Sequence, residues 1–186
     1  NGSEVLTVVP VDDGIYDTVG NESSTTQSNN TISLNDKTPP TISLVTATTA
    51  NGSYKAGDAI AVTVVFSEAV AVTGTPQLTL ETGSSDAVVN YASGTGTTTL
   101  TFTYTIASGH NNADLDYAST GALALNGGSI KDAAGNNANL ALVEPGAANS
   151  LAANKAIIVD TVTPTVVSVS SSTDNGSYRA GDVIAI

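Results

Sequence analysis

Thr98-Thr99-Leu100-Thr101-Phe102-Thr103-Tyr104-Thr105-Ile106 decides the fold class. Leu100, Phe102, Tyr104 and Ile106 fall on one side of an extended chain; Thr99, Thr101, Thr103 and Thr105 fall on the other. Side chains of a strand alternate at period two, so the stretch reads as a strand with one buried face and one wet face. Helix signals are poor throughout, with few Leu, Lys and Glu and many β-branched residues.

The same pattern extends outward. Ala59–Phe66 places Ile60, Val62, Val64 and Phe66 on one face. Further strands are predicted at Thr41–Thr46, Gln77–Glu81, Ala87–Tyr91, Ala122–Leu125, Leu140–Val143 and Ala156–Asp160. Turn formers separate them, among them Gly57-Asp58, Gly74-Thr75-Pro76, Gly83-Ser84-Ser85-Asp86 and Asn126-Gly127-Gly128. Short strands punctuated in this way imply an all-β fold, an antiparallel β-sandwich. Aromatic residues are only 4% of the chain, so the core is built from Val, Ile, Leu and Ala. Small side chains gain less per residue on burial. Stability then leans on something besides packing, and bound ions are the available candidate.

A repeat organises the chain. Asn51-Gly52-Ser53-Tyr54-Lys55-Ala56-Gly57-Asp58 returns as Asn175-Gly176-Ser177-Tyr178-Arg179-Ala180-Gly181-Asp182, an offset of 124 residues. Pro40-Thr41 returns as Pro164-Thr165 and Asp36 as Asp160. A period of one small domain predicts tandem folded modules. Gly14–Asn21 also parallels Ser129–Asn136. The expected division is a C-terminal module fragment at 1–36, a whole module at 37–160 and an N-terminal fragment of the next at 161–186, all within a longer chain. Head-to-tail strand exchange between chains is disfavoured, because neither end supplies an equivalent of about 63–115. Asn21–Asn30 is polar and low in complexity, and reads as a short loop. Asn29-Asn30-Thr31 matches a glycosylation acceptor pattern, which by itself carries almost no weight.

The net charge is −12, from 17 acidic residues against 5 lysines and arginines. That argues against nucleic acid, which requires a basic footprint, and against an anionic membrane surface. It suits solubility, and carboxylates partly neutralised by divalent cations. There is no Cys, so neither a disulfide nor a thiolate ligand or nucleophile exists. No apolar run is long enough to span a membrane as a helix.

The acidic residues gather at strand ends and turns: Asp36, Asp58, Glu68, Asp114, Asp116, Asp132, Asp160 and Asp182. Calcium takes six to eight oxygens, and loops supply carboxylates together with free carbonyls. Asp114-Leu115-Asp116 offers two carboxylates on one side of an extended chain. Asp132-Ala133-Ala134-Gly135-Asn136 bends an Asp and an Asn toward a common point through Gly. Asp36 and Asp160 stand at the junctions, each four residues before a Pro. The competing reading is that Asp and Asn fill turns for their own local hydrogen bonds. No EF-hand spacing is present. Catalytic constellations are poorer still. The one histidine, His110, reads as a loop residue, no Gly-x-Ser-x-Gly surrounds a serine, and nothing singles out a pair among Glu68, Glu81 and Glu144. An enzyme is therefore not expected. The threonine row reads as the ordinary wet face of a sheet rather than an ice-binding surface.

Taken in order, Pro40-Thr41-Ile42-Ser43-Leu44, Tyr54–Asp58, Val64–Val70, Leu100–Tyr104, Ala113–Tyr117 and Lys131–Asn136 resemble the bacterial Ig-like repeats of giant surface adhesins exported by one-step secretion. The resemblance covers 37–186 and, through the Asp-x-x-Gly-Asn motif, the head. It implies tandem Ig-like sandwiches that act as calcium-stiffened extenders outside the cell, supporting attachment or biofilm. It further implies Asp36, Asp160, Asp132 and Asn136 as ligands, with Asp58, Glu68, Asp114 and Asp116 less securely placed. The head keeps Asp17-Thr18-Val19-Gly20-Asn21 but shortens the strand after it, which leaves the geometry of the first junction open.

The expected function is thus a structural extender whose partners are neighbouring modules. The rival is a subunit of an extracellular filament, sheath or surface layer, marked by lateral self-association. A glycan- or protein-binding module is the third class, and would expose aromatics around Tyr91 or Tyr117; packing in the core is the expected place for both.

Overall fold

The computed structural model describes residues 5–7, 16–21, 31–33 and 36–186. Residues 22–30 of the predicted loop Asn21–Asn30 lie outside the described residues, as does all but Thr31 of the acceptor pattern. In chain order the elements are β1 (Val5–Thr7), β2 (Thr31–Ser33), β3 (Ile42–Ala47), β4 (Gly52–Tyr54), β5 (Ala59–Thr73), β6 (Gln77–Glu81), β7 (Ala87–Ser93), β8 (Thr97–Thr105), β9 (Asp116–Tyr117), β10 (Leu123–Ala124), β11 (Ser129–Lys131), the single helical turn α1 (Leu151–Asn154) and β12 (Ile157–Val159).

The molecule is all-β. Its main sheet is antiparallel and curled, and runs β10-β6-β7-β8-β5-β11, with β3 also paired to β5 and β9 to β6. Two strands change partners along their length and so produce the curl. The first half of β7 pairs with β6, and from Tyr91 onward it pairs with β8. The first half of β5 lies between β3 and β8, and Ala71–Thr73 pairs instead with β11. An irregularity between Val65 and Val70 marks that change. Such a break bends a strand and re-aims its side chains.

The alternation in β5 and β8 produces the core. Val62 stands opposite Phe102 and Val64 opposite Leu100, all fully buried, while the Thr103 and Thr105 side chains face solvent. Tyr117 is buried, and Tyr91 is half-buried with its ring edge-on to Phe102 at 6.1 Å.

Three expectations are corrected. Leu140–Val143 forms no strand: Leu142 is buried and its N–H bonds the Thr120 carbonyl, but the stretch builds no ladder. Pairing is not wholly antiparallel, since β12 runs parallel to β4 with Ile157 opposite Gly52. β5 is also much longer than the predicted Ala59–Phe66. The short strands β4, β9 and β11 were not predicted. A two- or three-residue strand shows no alternation to read, and exists only because a neighbour pairs with it.

Several hydrogen bonds of the repeat recur in its second copy. Thr48 N–H donates to the Ala61 carbonyl and Ser172 N–H to that of Ala185. Ala61 N–H donates to Thr49 Oγ1 and Ala185 N–H to Thr173 Oγ1. Lys55 N–H donates to Asp58 Oδ2 and Arg179 N–H to Asp182 Oδ2. The Tyr54 hydroxyl donates to the Ala50 carbonyl and that of Tyr178 to Asp174. Residues 162–186 nevertheless form no strand.

Candidate functional site: a carboxylate cluster at the start of the repeat

Three carboxylates from distant parts of the sequence converge. One oxygen each of Asp36, Glu68 and Asp132 lies within 4.8 Å of the others. Among the described residues no other group of three or more acidic or histidine side chains is so placed.

The strand geometry explains the convergence. Glu68 sits in the irregular stretch of β5. The segment carrying Asp36 is stapled beside it: Ser67 N–H donates to the Thr41 carbonyl (2.8 Å), and Thr41 N–H donates to Ser67 Oγ (3.0 Å). Asp132 follows β11 directly, and β11 ends with Lys131 opposite Ala71, three residues past Glu68. Pairing of β11 with β5 thus delivers the third carboxylate to the other two.

Each carboxylate is held differently. Asp36 Oδ1 accepts from Thr38 N–H (2.8 Å) in an Asx turn, and this bond foremost holds its carboxyl below the ordinary value despite partial burial and the nearby charge of Asp132. Asp132 is buried, which works against its charge. Hydrogen bonds from Asn136 Nδ2 (2.7 Å) and Asn136 N–H (2.8 Å), with further backbone donors, outweigh burial and hold it low. Glu68 is the exception. Burial first, then the charges of Asp36 and Asp132, push its carboxyl above the ordinary value. It is the member whose ionisation is resisted, and an added cation would reverse that resistance.

The Asp132–Asn136 loop turns through Gly135 at φ +95°, a conformation that disfavours a side chain. The head repeats it: Gly20 has φ +91°, Asn21 N–H donates to Asp17 Oδ1 (2.9 Å) and Asn21 Nδ2 to Asp17 Oδ2 (2.8 Å). Asn136 Nδ2 also donates to the Asp36 carbonyl (3.1 Å), which ties the loop to the Asp36 segment.

The remaining candidates lie elsewhere. Asp160 repeats the Asx turn of Asp36, with Oδ1 accepting from Val162 N–H at 2.8 Å, but it is exposed and not part of the cluster. Asp58 closes the Lys55–Asp58 turn. Asp114 and Asp116 do not present a common face: Asp114 is exposed, whereas Asp116 is buried and accepts from Tyr117 N–H (2.9 Å) and Gly146 N–H (2.8 Å). The turn-forming role describes Asp58 and Asp182, and backbone satisfaction describes Asp116. His110 is half-buried, with Nδ1 2.8 Å from the Tyr104 hydroxyl. Burial pushes that hydroxyl up to about 12, so it stays neutral near pH 7.

Sequence reading missed Ser67, Thr38 and Asn111, the residues that hold the segments around Asp36 and Asp160. The Asp-x-Thr spacing of Asp36 and Thr38 is the one local signal that pointed to an Asx turn.

This chain matches no protein-family model, no curated protein and no solved structure.

Proposed function

We propose that this chain is a structural extender of a large bacterial surface adhesin, built from tandem Ig-like β-sandwich modules stiffened by calcium at their junctions. The observation that carries the reading is the meeting of Asp36, Glu68 and Asp132 at the start of the repeat. Asp36 belongs to the segment entering the module; Glu68 and Asp132 belong to the module itself. A cation held there would tie the entering chain to the body.

The oxygen chemistry suits calcium. Three carboxylates supply three to six oxygens, and carbonyls and water complete a shell of six to eight. Nitrogen and sulfur ligands are absent from the cluster, which disfavours zinc. With the site bare, the charges of Asp36 and Asp132 oppose ionisation of Glu68. A divalent ion removes that opposition. The recurrence of the Asp36 turn at Asp160 is consistent with one such site per repeat. The extracellular and adhesive setting rests on the motif resemblance and on the acidic, cysteine-free composition.

The test is calcium titration of the chain monitored by melting temperature, with small-angle scattering of a chain that carries consecutive copies. The midpoint is expected to rise with free calcium and the profile to lengthen. An unchanged midpoint and profile after chelation would sink the reading. Ordered polymers at high concentration would favour the filament subunit instead.

A further inference from the structure

We infer that at each seam a single peptide group is gripped from opposite sides by the two consecutive modules, through Asn111 of the first and Asn136 of the second. The inference rests on the tandem reading of the proposed function but does not depend on calcium.

Each half is visible at a different junction. At the outgoing end, Thr161 N–H donates to Asn111 Oδ1 (2.8 Å). The Thr161 hydroxyl accepts from Gly109 N–H (3.0 Å), and Asp160 N–H donates to the Tyr54 carbonyl (2.9 Å). The strand bridge between Asn112 and Val159 leads directly into this anchor. The chain leaving the module is therefore held as far as the Thr161 amide. At the incoming end, the Asp36 carbonyl accepts from Asn136 Nδ2 (3.1 Å). The other bond from Nδ2 goes to Asp132 Oδ2, so both protons of the amide are engaged.

Asp36 and Asp160 occupy the same position of the repeat, as do Lys37 and Thr161. Both halves therefore fall on one peptide: the carbonyl of the junction Asp and the N–H of the residue after it. That group is planar and trans, so its carbonyl and N–H point to opposite sides. The preceding module holds the N–H edge and the following module holds the carbonyl edge. No rotatable backbone bond lies between the two grips.

Two consequences follow. Direction across the seam is restrained with the carboxylate cluster empty, and the cation adds to a restraint already present. The seams also differ in strength. Lys37 retains the N–H but lacks the hydroxyl by which Thr161 takes the Gly109 bond and donates to Asn111 Oδ1 (3.4 Å), so the seam at Asp36 lacks the equivalents of both.

Asn111 and Asn136 are positioning residues, and amide exchange by NMR reads their grips in the full chain. With chelator present, the Thr161 amide is expected to exchange about tenfold or more slower than an open peptide, as one retained hydrogen bond requires. Calcium is expected to leave that rate unchanged. The Asn136 side-chain amide protons are expected to be slowed as well. Asn111→Ala should release Thr161 while the amides of β5 and β8 stay protected, which shows that the module is still folded. Thr161 exchanging at the open rate in the unmodified chain, with β5 and β8 protected, overturns the inference. So do Asn136 side-chain protons that exchange like those of a free asparagine. Failure of calcium to bind would remove the proposed function's mechanism and leave both grips in place, so the two failures are distinguishable.

Discussion

Residues 38–62 and 162–186 are matching segments of the repeat, identical at 13 of 25 positions, in two surroundings. Ile60 is 0% exposed and its counterpart Ile184 is 50% exposed; Val45 is 1% exposed and Val169 75%. In the first copy the segment builds β3, β4 and the start of β5, whereas in the second it builds no strand. Yet the turn bonds are the same in both, from the Asp58 and Asp182 closures to the tyrosine hydroxyl contacts. The difference teaches which interactions are local. A carboxylate that closes a turn three residues away needs no tertiary partner. A strand needs a neighbour for its ladder and a core for its apolar face.

The strongest way to break this comparison is truncation of the paired isoleucines. Ile60→Ala is expected to destabilise the fold by about 2–5 kcal/mol, as buried large-to-small changes do, while Ile184→Ala should stay within about 0.5 kcal/mol. Equilibrium denaturation of each variant checks this. Equal losses would show that the second copy packs as the first does.

Calcium sharpens the comparison next. Free ion at roughly a hundred times Kd should stabilise the folded chain by about 2.7 kcal/mol, and Asp132→Asn should abolish most of that gain. Asp160→Asn should leave the gain intact, because Asp160 stands outside the cluster. Calorimetry with and without chelator decides between them.

The turn closures rank third. Asp58→Ala should cost about 1 kcal/mol, the net worth of one hydrogen bond. Asp182→Ala should alter the chemical shifts of 179–182 with little change in the melting midpoint.

The smallest effect concerns Glu68. Its carboxyl sits above the ordinary value in the folded state, so it binds a proton more readily there than in the unfolded chain. Its contribution therefore favours folding as pH falls through its raised value and disfavours it above. Asp36 and Asp132 run the other way: they are held low, and their contribution is present above the ordinary aspartate value and lost as pH falls below it. Glu68→Gln should slightly raise the metal-free midpoint at neutral pH and remove the stabilising limb on acidification, while weakening calcium binding. Melting curves between pH 4 and 7 in chelator, near the ordinary carboxylate range, test the sign. A lowered midpoint at neutral pH would contradict it.

The strands with strong alternation were legible beforehand. Gln77–Glu81 matches β6, and Leu100–Ile106 buries the expected face. The curl was not, because it depends on where β5 and β7 exchange partners, and a bulge leaves no periodic trace. The candidate site was half legible. Asp36, Glu68 and Asp132 were each visible as acidic residues at strand ends, among several others that do not join them. Their selection required β11 to pair with Ala71–Thr73 and Ser67 to staple Thr41, contacts between segments far apart in the chain.

Taken alone, the residues determined everything whose partner lies within a few positions: alternation in the long strands, the Asx turns at Asp36 and Asp160, the closure at Asp58 and the glycine-dependent loop at Asp132. The tertiary structure decided which short segments become strands, that β12 runs parallel to β4, and which three carboxylates share one space. The physical reason is range. Backbone conformation and side-chain-to-backbone bonds are set by near neighbours along the chain, whereas strand pairing and charge proximity act across space and exist only once the sheet has closed.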